Sequence, residues 1–312
     1  MRNGGHTIRT TIKIGTRGSA LALTQASWVK DRIEKKEPDI QVELVVIKTQ
    51  GDIMQDVSLV KIGGKGVFVK EIEEALLRGD IDLAVHSMKD MPAVLPDGLE
   101  VAVTPEREDP RDVLVARERL KFERLPHGAR IGTSSLRRQC QIQHLYKDIQ
   151  VIPLRGNLDT RIRKIQAENL HGIIVAAAGM RRMGYLDRVS HFIPAELMIP
   201  AVGQGVLALE VRRDDGPLKE ALAFLDHPRT GLEVGAERAF LKRLGGDCKL
   251  PIAAYGELKG DMLVLNGLIG TADGRIMMRN EIRGPMNGGE ELGIHLAEDL
   301  LSRGGRAIMD IS

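Results

Sequence analysis

Cys248 is one of two cysteines in 312 residues, and its surroundings are basic: Lys249 follows it, Lys242 and Arg243 precede it, and Asp247 opposes them. Neighbouring cations lower a thiol's pKa and favour thiolate, the form that attacks electrophiles. The residue therefore reads as a nucleophile. No histidine stands near it in sequence to complete a dyad, so a packing thiol is the competing role. Cys140, in a helix-like stretch just after Arg138, reads as structural.

His86-Ser87-Met88-Lys89-Asp90-Met91-Pro92 places ionisable groups at the end of an apolar stretch. Asp90 there is suited to exchange a proton or to stabilise a developing cation; its plainer role is to cap a turn. His86 reads as a hydrogen-bonded core residue. Arg17, Ser19, Arg137, Arg138, Arg155, Arg161, Arg181 and Arg182 fall at or shortly after the expected carboxyl ends of strands, where open α/β sheets bind ligands. Guanidinium forks match carboxylates, and Ser19, Thr133, Ser134 and Ser135 stand where helix N-terminal amides would hold the same groups. Singly, each arginine also suits a solvated helix surface. Together they predict a multiply anionic small molecule. Gly63-Gly64-Lys65-Gly66 lacks the spacing of a phosphate-binding loop and reads either as a loop that closes over an anion or as a surface turn.

The elements that must position these residues alternate. Strands are predicted over 11–15, 42–47 and 81–85, with helices over 19–33 and from 67 to a stop near Gly79. A Pro- and charge-rich stretch, 104–111, reads as a crossing between units. Strands then recur near Ile131, over 149–154 and over 173–177. Ile14-Gly15-Thr16-Arg17 is echoed by Ile131-Gly132-Thr133-Ser134, each leaving a strand for a helix, which suggests two similar α/β units. Gly203-Gln204-Gly205 marks a sharp reversal or hinge. Further on, Thr230-Gly231-Leu232-Glu233 reads as a capping box before a helix to Leu244. Strands over 252–258, 262–269 and 275–282 alternate around turns at Gly260 and Gly274, and a helix over 290–301 closes a small α+β unit.

Composition bounds the class. Hydrophobic residues make up 43% and charged residues 28%, the balance of a globular protein, and the length suits two or three units. No apolar run approaches the roughly 20 residues of a membrane-spanning helix, and the start lacks the apolar stretch of a secretory signal, so a cytoplasmic location is expected. A net charge of +2 with one Trp, three Tyr and five Phe argues against single-stranded nucleic acid as the partner. No metal is expected.

In order along the chain, Ile14 to Ser19, Gly63 to Phe68, Val85 to Asp90, Ile131 to Gln139, Leu154 to Asn157, Pro200 to Gly205 and the Cys248 loop resemble the porphobilinogen deaminase (hydroxymethylbilane synthase) family. The resemblance spans nearly the whole chain. It implies an α/β fold of three domains. Two are like type II periplasmic binding proteins, covering 1–104 with 206–225, and 105–205. The third, over 226–312, is a small α+β domain with a three-stranded antiparallel sheet that carries Cys248. It also implies a transferase that condenses four porphobilinogen molecules head to tail with loss of ammonia, on a dipyrromethane cofactor thioether-linked to Cys248. The catalytic aspartate corresponds to Asp90. Positions that hold the cofactor correspond to Ser87, Lys89, Asp90, Thr133, Ser134, Ser135, Arg137, Arg138, Arg155 and Arg161, and those that bind substrate to Arg17, Ser19, Lys65, Arg155 and Arg182. A monomer without nucleic-acid or membrane partners is expected. Asp247 and Lys249 depart from the Gly and Gln common beside the family's cysteine, and Met180 replaces a common Leu. Without the resemblance, the paired α/β units and arginines alone would also permit a non-catalytic anion-binding protein, which leaves Cys248 and Asp90 without a role.

Overall fold

A computed structural model of the chain describes residues 10–53, 69–245 and 250–310. The strands and α-helices in order are β1 (Thr11–Thr16), α1 (Ala20–Lys36), β2 (Gln41–Val46), α2 (Gln50–Ile53), α3 (Lys70–Arg78), β3 (Leu83–Ser87), β4 (Leu99–Val103), β5 (Asp112–Ala116), β6 (Arg130–Gly132), α4 (Leu136–Leu145), β7 (Gln150–Ile152), α5 (Leu158–Ala167), β8 (Gly172–Ala176), α6 (Ala177–Arg182), β9 (His191–Phe192), β10 (Leu207–Arg212), α7 (Gly216–Leu222), α8 (Pro228–Arg243), β11 (Ile252–Lys259), β12 (Met262–Gly270), β13 (Met277–Pro285), α9 (Gly289–Leu300) and α10 (Arg306–Asp310).

Local chemistry fixes many of the ends. Ser19 caps α1 by accepting from the Ala22 amide, Ser135 caps α4 from Arg138 N, and Asn157 caps α5 from Thr160 N. Gly79 ends α3 in the left-handed region, at φ 77°. Along β1 the inward Ile12 and Ile14 are buried while Lys13 is exposed, and Val29 and Ile33 of α1 cover that face.

Two five-stranded sheets share one topology. Their orders are β2-β1-β3-β10-β4 and β7-β6-β8-β5-β9. In each, three parallel strands are followed by one antiparallel strand that the chain supplies next to a crossing: β10 in the first sheet, β5 in the second. The chain therefore leaves the first sheet after β4, builds the second, and returns at β10. The order with its one reversed strand is that of type II periplasmic binding proteins. The echoed segments occupy equivalent places, β1 and β6. Their glycines serve the same end: a Cβ on Gly15 would meet Ile81 Cδ1 at 2.2 Å, and one on Gly132 would meet Leu154 and Leu170 at 2.9 Å. The third sheet, β11-β12-β13, is antiparallel and packs on α8 and α9 around Phe240, Leu265 and Leu296.

Several expectations need correction. Strand β13 covers Met277–Pro285 rather than 275–282, along its pairing with β12, and β7 covers only Gln150–Ile152 of 149–154. The α8 cap is not a Thr230–Glu233 box: Pro228 starts the helix, and the His227 ring accepts from the Thr230 amide. Tertiary contacts claim the box residues, because Thr230 Oγ1 accepts from Arg107 N and Glu233 Oε1 accepts from Leu258 N. Strand β3 also begins and ends two residues later than 81–85, because His86 and Ser87 pair with Ala208 and Leu207 of β10.

Candidate active site

Asp90 ends a single 3-10 turn, Met88–Asp90, at the carboxyl edge of β3. It is exposed, and it shares a pocket with Arg17, Ser19, Gln25, His86 and Ser87. The pocket exists because β1 and β3 are parallel neighbours whose carboxyl ends open on the same side. Gln25, buried on α1, donates from Nε2 to Ser87 Oγ at 3.0 Å and fixes that hydroxyl. His86 lies in the core, as its sequence context suggests, with Nε2 3.0 Å from Glu210 Oε2. Against the Asp90 turn packs Gly203, at φ 68°, where a Cβ would stand 2.5 Å from Met88 Cγ. A Cβ on Gly205, at φ 89°, would stand 2.3 Å from Glu108 O, so the two crossings are pressed together there.

The second sheet supplies cations to the same place. Burial pushes the Lys89 ammonium down to about 8; Asp90 pulls it up, Arg138 pushes it down, and Asp112 and Arg137 act more weakly in the same two senses. Burial likewise lowers Arg161 to about 10, with Arg138 and Arg155 lowering it further and Asp90 opposing. Asp90, Lys89, Arg138, Arg155 and Arg161 thus share one electrostatic neighbourhood drawn from both sheets.

Three hydroxyls at the start of α4 are engaged locally. Thr133 Oγ1 accepts from Ser135 N at 3.2 Å, and Ser134 Oγ donates to Leu154 O and accepts from Leu154 N, both at 2.9 Å. Arg161 Nε donates to Gly156 O at 2.8 Å.

Other arginines are engaged within the protein. Arg137 donates to Asp112 Oδ2 at 2.7 Å and to Ile199 O at 2.8 Å; Arg138 donates to Asp112 Oδ1 through Nε and Nη2 and to Ile174 O through Nη1. Both guanidiniums are buried, so neither is a solvated surface group. Arg182 reaches Gly205 O at 2.8 Å, and burial lowers it to about 10. Arg181 pairs with Glu108 at 2.9 Å. Lys65 and Cys248 lie outside the described residues. Asp112, Gln25, Gln204 and Glu210 are site-supporting residues that sequence reasoning missed; a buried acid opening a strand directly after the Pro-rich crossing was the available signal for Asp112.

The cation set fits a ligand with several carboxylates: forked and point cations share the electrostatic neighbourhood of one acidic side chain. Fold and site together define a two-lobed α/β protein of the type II periplasmic-binding architecture, with a carboxylate on one sheet facing cations on the other. Comparison with known proteins narrows that class. Residues 12–220 match the family model described as porphobilinogen deaminase, dipyromethane cofactor binding domain, and residues 231–302 match the porphobilinogen deaminase C-terminal domain. The porphobilinogen deaminase of Syntrophus aciditrophicus is 57% identical over 299 residues, covering 96% of this chain and 98% of that protein. That of Geobacter metallireducens is 53% identical over 298 residues, covering 96% and 93%. The chain belongs to the porphobilinogen deaminase family. It is a transferase of tetrapyrrole biosynthesis that polymerises the small molecule porphobilinogen to hydroxymethylbilane, and it carries a dipyrromethane cofactor. Among the described residues, no helix is long and apolar enough to cross a membrane.

Proposed function

We propose that Asp90 is the catalytic group of this reaction and that the facing cations hold the carboxylates of cofactor and substrate. The observation that carries the reading is the place of Asp90 on the turn at the carboxyl end of β3, in a pocket with Arg17, Ser19 and Ser87, with Lys89, Arg138, Arg155 and Arg161 in the same electrostatic neighbourhood. Each porphobilinogen brings an acetate and a propionate, so an elongating chain accumulates negative charge that only a cationic cleft retains. Arg17, Ser19, Lys65, Arg155 and Arg182 serve incoming substrate. Ser87, Lys89, Thr133, Ser134, Ser135, Arg137, Arg138, Arg155 and Arg161 serve the cofactor, either touching it or holding those that do. Cys248 is its attachment point. When bound, the cofactor supplies the pyrrole carbon to which the first substrate is joined.

Asp90, placed beside the pyrrole nitrogen of porphobilinogen, stabilises the positive charge that develops on ring and methylene as the C–N bond of the protonated aminomethyl group breaks and ammonia departs. The carbon–carbon bond forms at the exposed methylene. Asp90 then accepts the proton displaced from the attacking ring carbon and passes it to ammonia. Each condensation releases one ammonium and needs no redox partner, and release of the finished tetrapyrrole as hydroxymethylbilane consumes one water. Gln25 fixes the Ser87 hydroxyl in the pocket that Asp90 shares.

The reading extends to a division into 1–104 with 206–225, 105–205 and 226–312, and to a cytoplasmic monomer, which sedimentation at working concentration tests for the oligomeric part. Its central test is ammonia release and porphobilinogen consumption by primer-loaded protein, wild type against Asp90→Asn, with the cofactor checked by intact mass.

A further inference from the structure

Asp112 opens β5 at the far end of the first crossing, fully buried. Its two oxygens receive four N–H groups: Arg137 Nη1 at 2.7 Å, Arg138 Nε at 3.1 Å, Arg138 Nη2 at 2.8 Å and Gln204 Nε2 at 3.0 Å. Gln204 belongs to the second crossing, and its Nε2 also donates to Pro110 O at 2.6 Å, so both acceptors fix the same amide orientation. One carboxylate therefore joins the two crossings to the two arginines in the first turn of α4.

Charge reinforces the geometry. Arg137, Arg138 and Asp112 sum to one positive charge, and Asp112 is the acid that moderates the field those arginines exert on Lys89. Two unneutralised guanidiniums at this depth would repel each other and the neighbouring cations; forked bonds to a shared carboxylate relieve that repulsion and set both planes.

We propose that Asp112 is a positioning residue for porphobilinogen polymerisation, orienting Arg138 toward the carboxylates in the cleft and locking the separation of the two sheets through Gln204. The proposal rests on the assignment of Arg138, Lys89 and Asp90 to the site. Asp112 touches neither substrate nor cofactor; it acts through the arginines.

The experiment compares wild type, Asp112→Asn and Asp112→Glu, each primer-loaded and verified by intact mass, in steady-state porphobilinogen consumption across pH. Asn preserves volume but removes the charge and turns an N–H toward the guanidiniums. The kcat of Asp112→Asn is expected to fall at least about tenfold while KM for porphobilinogen changes little, the signature of lost orientation in the transition state. The groups acting on Lys89 are Asp90 and Asp112, which hold its proton on, and Arg138 and Arg137, which push it off. Losing Asp112 removes one of the two charges that hold this proton on, so an alkaline limb set by Lys89 moves to lower pH. Asp112→Glu keeps the charge, so its limb stays in place while its longer arm displaces the guanidiniums and kcat still falls. A structural role alone would lower thermal stability and leave kcat and the limb unmoved, and that result in Asp112→Asn overturns the proposal. Should Asp112→Asn not fold, wild-type kcat in Asp112→Glu overturns it equally. If primer-loaded Asp90→Asn turns over normally, it is the site assignment that fails; if Asp90→Asn is inactive and both Asp112 variants are normal, only the present inference falls.

Discussion

The guanidinium of Arg107 donates from Nη2 to Glu237 Oε1 at 2.7 Å, joining the first crossing to the middle of α8. Glu237 is fully buried, and it also accepts the amide of Gly256 in β11 at 2.9 Å and that of Gly203 in the second crossing at 2.7 Å. A single acid thus holds both crossings against the third sheet. Burial pushes its carboxyl pKa up while Arg107 and the two amides pull it down. Glu237→Ala leaves two buried amides without their acceptor and the Arg107 guanidinium with only Gly256 O and the more distant Glu233, and a loss of about 3 kcal/mol in urea unfolding is expected. A loss under about 1 kcal/mol would show that these bonds do little to hold the crossings.

Glu73 on α3 faces the buried His86–Glu210 pair. Burial raises it to about 7, with Glu210 adding to the rise and His86 opposing it. A raised carboxyl pKa means that the folded state binds the proton more tightly than the unfolded state. Its contribution to stability is therefore complete below the ordinary value near 4.5 and is lost as pH climbs toward about 7. Glu73→Gln, which resembles the protonated form, should gain on wild type between pH 5 and 8 in paired urea melts. A constant difference across that range would mean Glu73 does not titrate in it.

Asp90→Asn separates chemistry from turn capping. Asn caps comparably well, so a purely local role predicts near-normal turnover. The catalytic role predicts a fall of several orders of magnitude in porphobilinogen consumption, in protein that folds and carries its cofactor by mass. Turnover within about tenfold of wild type, a barrier change near 1.4 kcal/mol, would exclude it.

Cys140 is buried against Gly270 and Gly274, and burial pushes its thiol up to about 12, which leaves negligible thiolate at neutral pH. Cys140→Ser should keep the extra mass of one dipyrromethane. Cys248→Ser should lose that mass and all activity, because a hydroxyl is a far poorer nucleophile. Unmodified mass with full activity in the wild type would refute attachment altogether.

What the sequence determined by itself was mostly local. Ser19 and Gly79 announced helix ends because caps depend on a few adjacent residues, and β1 declared itself through Ile12 and Ile14 around Lys13. The motifs around Asp90 and Arg137–Arg138 carried the family likeness in their order along the chain. Tertiary structure decided the rest. Leu207 to Val211 are all buried, so β10 shows no alternation, and its antiparallel place between β3 and β4 follows only from the returning crossing. Thr230 and Glu233 have the spacing of a capping box, yet Arg107 and Leu258, remote in sequence, compete for their oxygens. The arginines could be read as charges but not as partners: that Arg137 and Arg138 converge on Asp112, some 25 residues earlier, depends on β5 lying beside β8 in the folded sheet. Contacts of that separation are fixed by strand order and burial, which no short window of sequence encodes.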